Sequence, residues 1–270
     1  MPTPLVTQDS PASSPPAAAG DTSAIALGRT AGVGLAMGAA DIVPGVSGGT
    51  VALILGVYQR LLAALSNFDG ELIGHALNRR FASAWRHIDG WFLGALGLGI
   101  VVGAKGLAGL MTYLLVEQTT LTFAAFFGLI LASGLLVAKM ARPATAAQTA
   151  NCVALGIIAA AFAVWLMSQG RIVPSDSLGY TFVCGAIAIC AMILPGISGA
   201  YLLLILGKYE QVSEILHRAP ALSTGDVATL GVFAAGCAFG LLAFSRLLRW
   251  LLANYWSSTM AVLAGFMIGS

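Results

Sequence analysis

Apolar residues in this chain run in long blocks, with polar and charged residues confined to short gaps between them. The blocks fall at 28–40, 50–66, 91–116, 120–139, 151–169, 178–193, 200–216, 227–252 and 257–270. A helix needs about 20 predominantly apolar residues to span a bilayer, a length that 91–116, 120–139, 151–169 and 227–252 reach. The last block stops at Ser270 and is expected to continue beyond it. Blocks 28–40 and 178–193 are too short for an ordinary span, and each runs into a Pro-Gly break followed by a second short apolar stretch.

The first break reads Asp41-Ile42-Val43-Pro44-Gly45-Val46-Ser47-Gly48-Gly49-Thr50 and the second Met192-Ile193-Leu194-Pro195-Gly196-Ile197-Ser198-Gly199-Ala200-Tyr201. Proline removes a backbone donor and disfavours helix at the residue before it, so a helix ends at each break. Glycine then permits a sharp reversal. The two segments belong to an internal repeat. At an offset of 151, Pro44, Gly45, Ser47, Gly48, Leu53, Leu55, Gly56 and Tyr58 fall on Pro195, Gly196, Ser198, Gly199, Leu204, Leu206, Gly207 and Tyr209. At an offset of 137, Gly94, Gly99, Gly103, Leu110, Leu114, Gly128 and Ser133 fall on Gly231, Gly236, Gly240, Leu247, Leu251, Gly265 and Ser270. A longer polar loop in the first copy, about 67–90, absorbs the change of offset. The chain thus divides into a tail at 1–27, a first repeat at 28–139, connecting helix and loops at 140–177, and a second repeat at 178–270.

If each broken pair enters and leaves on one side, three crossings separate the repeat starts, and the second repeat is inverted. Basic residues agree with that count. Arg29, Arg60, Arg79, Arg80, Arg86, Lys139, Arg142, Arg246 and Arg249 fall on the N-terminal side, against Arg171, Lys208 and Arg218 opposite. The excess puts the N-terminus in the cytoplasm. The expected fold is therefore all-α and polytopic: two inverted repeats, each a Pro-Gly-broken re-entrant hairpin plus transmembrane helices.

Composition narrows the class further. The chain is 58% hydrophobic and 9% charged, where soluble domains carry roughly 25% charged residues. Its net charge of +2 and scattered basic residues give no nucleic-acid patch. Cys152, Cys184, Cys190 and Cys237 lie inside apolar blocks and read as small buried hydrophobes. His75, His87 and His217 have no second ligand at a convincing spacing, so neither metal nor cofactor is expected. Residues 1–27, rich in Pro, Ala, Ser and Thr, read as a disordered tail and not as a signal peptide.

Interrupted helices in inverted repeats point to a substrate site near the bilayer midplane. Ser47-Gly48-Gly49-Thr50 and Ser198-Gly199-Ala200-Tyr201 each open a half-helix, whose free N–H groups, dipole and hydroxyls suit an oxyanion; simple kinking for close packing is the plainer alternative. A charge deep in lipid costs about 2.5–3.5 kcal/mol on insertion scales. Asp41, matched by Met192 in the other repeat, could carry a proton or accept backbone N–H bonds. Lys105, in mid-block, could meet a phosphate, snorkel, or partner Asp41. Arg246 lies in the equivalent helix, and with Arg249 could bind phosphate or anchor the interface. Lys208 and Glu210 are expected at the interface, as are Trp85, Trp91, Tyr255 and Trp256.

The two Pro-Gly-x-Ser-Gly motifs, with Leu55-Gly56-Val57-Tyr58 and Leu206-Gly207-Lys208-Tyr209-Glu210, resemble those of the PopT-type polyprenyl-phosphate transporters. The resemblance covers essentially 28–270. It implies a bacterial inner-membrane protein that returns undecaprenyl phosphate, the lipid carrier of cell-wall synthesis, to the cytoplasmic face. Its partners would be that lipid and the bilayer, with a homo-oligomer left open. The site residues would be Asp41, Pro44, Gly45, Ser47, Gly48, Gly49, Thr50, Lys105, Pro195, Gly196, Ser198, Gly199, Tyr201 and Arg246. A transporter or channel for a small anion would use the same hairpins. A lipid-phosphate enzyme would need a reactive His beside basic residues, which the sequence does not offer, so no enzyme is expected.

Overall fold

The computed structural model describes residues 23–41, 47–218 and 223–270. Pro44 and Gly45 lie outside the described residues. All thirteen elements among the described residues are helices. The first half contains α1 (Ala24–Asp41), α2 (Gly48–Ile54), α3 (Tyr58–Ser66), α4 (Gly70–Leu77), α5 (Phe81–His87), α6 (Gly90–Glu117) and α7 (Thr119–Met140). Helix α8 (Ala146–Met167) connects it to α9 (Leu178–Ile193), α10 (Gly199–Ile205), α11 (Tyr209–His217), α12 (Thr224–Asn254) and α13 (Trp256–Gly269). By length and composition α6, α7, α8 and α12 can each cross a membrane, and α2 with α3 forms a fifth apolar stretch bent by 114°.

That bend corrects the reading of 50–66 and 200–216 as continuous blocks. Each is two short helices. Gly56 has φ +76° and Gly207 has φ +72°, a left-handed backbone that glycine adopts without steric cost. The same backbone geometry therefore recurs at positions 151 apart. It recurs again where the long helices turn. Gln118, between α6 and α7, has φ −129° and ψ 39°, and Tyr255, between α12 and α13, has φ −133° and ψ 47°. At the first turn the Thr122 hydroxyl donates to the Leu114 carbonyl; at the second Thr259 donates to Leu251.

Small residues set how close the long helices come. Helix α1 runs parallel to α6, with Gly34 and Gly38 against Leu96 and Ile100, and Gly99 and Gly103 against Ala31 and Leu35. A Cβ at any of the four would overlap a backbone carbonyl of the other helix. Helices α9 and α12 make the corresponding contact through Gly185, Gly236 and Gly240. Lipid tails are as apolar as the side chains, so close van der Waals contact between helices supplies much of the association energy.

The largest apolar cluster joins the halves. Leu53, Tyr58 and Leu62 of α2 and α3 pack with Leu248 and Leu252 of α12 and with Met260, Leu263 and Met267 of α13. Charged contacts divide between the ends of α12, whose 31 residues make a rod about 46 Å long. At its C-terminal end Arg249 donates to Ser66 and Arg246 to the Phe68 carbonyl, close in sequence to the Arg60–Asp89 pair. At its N-terminal end Arg218 pairs with Asp226, and the Arg171–Glu210 pair joins the segment before α9 to α11.

The polar stretch expected as a loop at about 67–90 contains α4 and α5. Asp69 starts α4 by accepting from the N–H groups of Glu71 and Leu72. These bonds, and the contact with His87, hold the Asp69 carboxyl below its ordinary range.

The glycine contacts generate a direct test. Gly103→Leu must push α1 from α6 against backbone, a change that costs about 1–3 kcal/mol even where a core can adjust. The variant should unfold at a clearly lower temperature in detergent. Gly106→Leu, which has no neighbour within 4 Å, should unfold close to wild type. Equal midpoints would remove the close α1–α6 contact as a source of stability.

Candidate functional site

The breaks of the two halves touch. At the start of α2, a Cβ on Gly49 would lie 3.1 Å from the Ile193 carbonyl oxygen and 3.7 Å from the Pro195 nitrogen. The buried Tyr58 hydroxyl at the start of α3 donates to the same Ile193 carbonyl at 3.0 Å. The carbonyl at the end of α9 is thereby satisfied from the other half of the chain. Pro195 is fully buried, and Gly196, at φ +86°, turns the chain against Met267 of α13. A side chain at Gly196 would meet that helix at 2.6 Å, so glycine is required there for both space and backbone conformation.

The two half-helix starts differ chemically. In α2 the Gly48 N–H donates to Asp41 Oδ1 at 2.6 Å, the Gly49 N–H to Ser47 Oγ at 3.2 Å, and the Thr50 N–H to the Ser47 carbonyl at 2.9 Å. The chain's own carboxylate therefore occupies the place an external oxyanion would take. In α10 Ser198 caps the Tyr201 N–H at 3.3 Å, while Gly199 packs on Ala188 and Met192, the apolar counterpart of Asp41. Thr50 is buried beside this junction. The Tyr201 hydroxyl donates to the Met167 carbonyl at the end of α8, 2.9 Å away, which ties the tip to the connecting helix.

The basic residues do not join this constellation. Gly103 faces α1, and Lys105, two residues on at about 200° of helical rotation, is exposed on the far side. No hydrogen bond or ion pair connects Lys105 to another described residue. Arg246 is committed to the Phe68 carbonyl at the C-terminal end of α12, which fits the interface-anchor alternative. Lys208, expected at the interface, has its side chain 1% exposed, with Nζ donating to Gln211 Oε1 at 2.7 Å and lying 3.7 Å from Asp176. A buried ammonium is costly and rare. Sequence reading missed it because its cover comes from Tyr180 and Cys184, on a different helix. Folding also gathers His75, His87 and two carboxylates that spacing left apart.

Beside the second break lies a cavity of about 760 Å³, lined by α8, α9, α10, α12 and α13. Leu194 and Ile197 of the break form part of its wall, with Ala186, Cys190 and Ala243 along its length. Its outer walls, Phe162, Trp165 and Phe239, are 47–60% exposed, so the cavity opens sideways between helices. Among the described residues Gln169 is the one amide or charged side chain on its lining, and no cationic residue lines it. The arrangement suits a flexible hydrocarbon chain and offers nothing to a free anion along most of its length.

The Asp41 contact predicts separable variants. Asp41→Asn keeps an oxygen to accept the Gly48 N–H and should lose little stability. Asp41→Ala leaves that donor without its charged acceptor and should cost about 1.5–3 kcal/mol, read as a lower unfolding midpoint in detergent. Indistinguishable midpoints would mean that the contact contributes nothing to the fold.

The chain is similar to known proteins over most of its length. The profile of the VCA0040-like, undecaprenyl phosphate translocase-like family matches residues 37–270. A polyprenyl-phosphate transporter of Vibrio cholerae is 40% identical over 237 residues, covering 88% of this chain and 74% of its own. A polyprenyl-phosphate transporter of Staphylococcus aureus is 30% identical over 245 residues, covering 88% of this chain and 82% of its own. No solved structure matches the chain at a comparable level. Touching broken helices, a lateral apolar cavity and a match over most of the chain lead to one assignment: the protein belongs to the VCA0040-like, undecaprenyl phosphate translocase-like family.

Proposed function

We propose that the chain carries a polyprenyl phosphate, of the undecaprenyl phosphate type, across the bacterial cytoplasmic membrane and catalyses no chemical change in it. The observation that carries this reading is the laterally open apolar cavity of about 760 Å³ against the second Pro-Gly break. A prenyl tail is content in hydrocarbon, so only the phosphate needs a polar route, and a side opening lets the tail remain in the bilayer while the headgroup moves. A sealed aqueous path would suit a small anion instead. Membership of a family named for undecaprenyl phosphate translocation supports the same substrate class.

In this reading the two halves are inverted repeats, α1–α3 and α9–α11 are re-entrant hairpins, and their tips form the crossing point for the headgroup. The N-terminus lies in the cytoplasm, in keeping with the basic residues gathered around Arg60, Arg246 and Arg249. The headgroup meets backbone and hydroxyls at Ser47–Thr50 and Ser198–Tyr201, the latter shaped by the break at Pro195-Gly196. Asp41 holds the first half-helix start in the absence of phosphate and yields it when a phosphate arrives, so its charge is part of the cycle. Lys105 and Arg246 stand apart from the tips, so the headgroup's partners there are backbone N–H groups and hydroxyls.

Reconstituted vesicles test the reading. Wild type should move a labelled polyprenyl phosphate between leaflets and leave the dephosphorylated polyprenol behind. Ala243→Trp, which fills the cavity without touching the tips, should slow transport at least tenfold while the protein still inserts. Asp41→Asn should slow turnover more than it weakens lipid binding. Transport of inorganic phosphate with indifference to the prenyl chain would replace this reading with a small-anion transporter.

A further inference from the structure

Between α3 and α6 the first half carries the helical pair α4 and α5, where the second half has only the short link between α11 and α12. The start of α4 and the end of α5 bring together side chains far apart in sequence. His87 Nε2 lies 3.0 Å from Asp69 Oδ1, and the ligand atoms of Asp69, Glu71 and His87 all lie within 4.8 Å of one another. His75, one turn after Glu71, places Nε2 3.8 Å from the Glu71 carboxylate, and its ring packs edge-on against His87 with centroids 5.9 Å apart.

One imidazole and two carboxylates thus converge on one spot, with the second imidazole, His75, beside them. The nearby cations are engaged elsewhere: Arg60 with Asp89, Arg246 with the Phe68 carbonyl, and Arg86 with the Ala82 carbonyl. Neither Asp69 nor Glu71 forms an ion pair with Lys or Arg among the described residues. Asp69 takes its bonds from α4 and from His87 on Oδ1, and Oδ2 accepts none of them. The His87 carbonyl accepts from Asn67, which fixes the end of α5 beside α4.

We propose that Asp69, Glu71 and His87, joined by His75 through side-chain rotation, bind one divalent transition-metal ion of the zinc class. Zinc takes imidazole nitrogen and carboxylate oxygen at about 2.0–2.2 Å in a tetrahedral set, which puts neighbouring ligand atoms roughly 3.3 Å apart. The observed separations bracket that value. Hard cations such as calcium and magnesium prefer all-oxygen shells, so the imidazoles select against them. A bound ion would fasten α4 to α5 and hold Leu77, Phe81 and Trp85, all exposed, as one apolar face at the membrane surface.

The test is titration of tag-free, detergent-purified full-length protein with Zn²⁺, read by calorimetry. One ion should bind per chain. His87→Gln and His75→Gln should each weaken binding about tenfold or more. His217→Gln, on α11 and away from the cluster, should bind as wild type. Circular dichroism without metal checks that each variant is folded; if His87→Gln fails to fold, His75→Gln and Glu71→Gln decide the matter, because they remove no backbone cap. Absence of saturable binding, or binding unchanged in a His75→Gln variant, would overturn the proposal.

Discussion

Backbone freed from a helix inside hydrocarbon has no water to bond to, so each loose N–H and C=O must find a partner within the protein. At the two breaks of this chain, which the proposed function puts within the membrane, a few contacts supply those partners. Ser47 and Ser198 cap the short helices that follow, Asp41 takes the N–H of buried Gly48, and Tyr58 crosses from one half to satisfy the Ile193 carbonyl of the other. The last contact makes the halves interdependent, because the second break is completed only when α3 is docked. The apolar cluster of α2, α3, α12 and α13 then surrounds the junction. Glycine contacts along α1–α6 and α9–α12 set the spacing that lets the tips meet.

The halves share backbone geometry but not chemistry. Asp41 faces Gly48 where Met192 faces Gly199. Buried Lys208 stands where the first half has Val57. The open cavity belongs to the second half and its border with α8 and α13. A transporter with two states need not use its halves alike. One tip carries a built-in carboxylate in the position of an oxyanion, while the other borders the space where a hydrocarbon tail fits. In the proposed function this difference gives the headgroup and the tail different places to reside.

Much of this was legible in the sequence because it depends on residues with distinctive backbone behaviour. Proline and glycine mark the breaks, and of the glycines that repeat at fixed offsets Gly99, Gly103, Gly236 and Gly240 stand at the helix contacts and Gly56 and Gly207 at the turns, whereas a Cβ at Gly94 or Gly231 would touch nothing. The second bend was marked too: Gly56 and Gly207 stood in the repeat, but their role needed a measured φ. Helices α4 and α5 were hidden because short amphipathic segments between charged residues resemble a polar loop. The contact of Arg246 with the Phe68 carbonyl and the histidine cluster could not be read in the sequence, because folding brings together groups 178 and 18 residues apart, and no local pattern encodes such meetings.

The central claim is that the prenyl chain lies in the lateral cavity beside the second break. A polyprenyl phosphate carrying a photoreactive group along its tail, crosslinked to the protein in vesicles and mapped by mass spectrometry, tests it most directly. Adducts should concentrate on cavity residues such as Ala186, Cys190, Leu194 and Ala243, and excess unlabelled polyprenyl phosphate should suppress them. Labelling spread evenly over the outward faces of α6 and α7, and insensitive to competitor, would contradict the account.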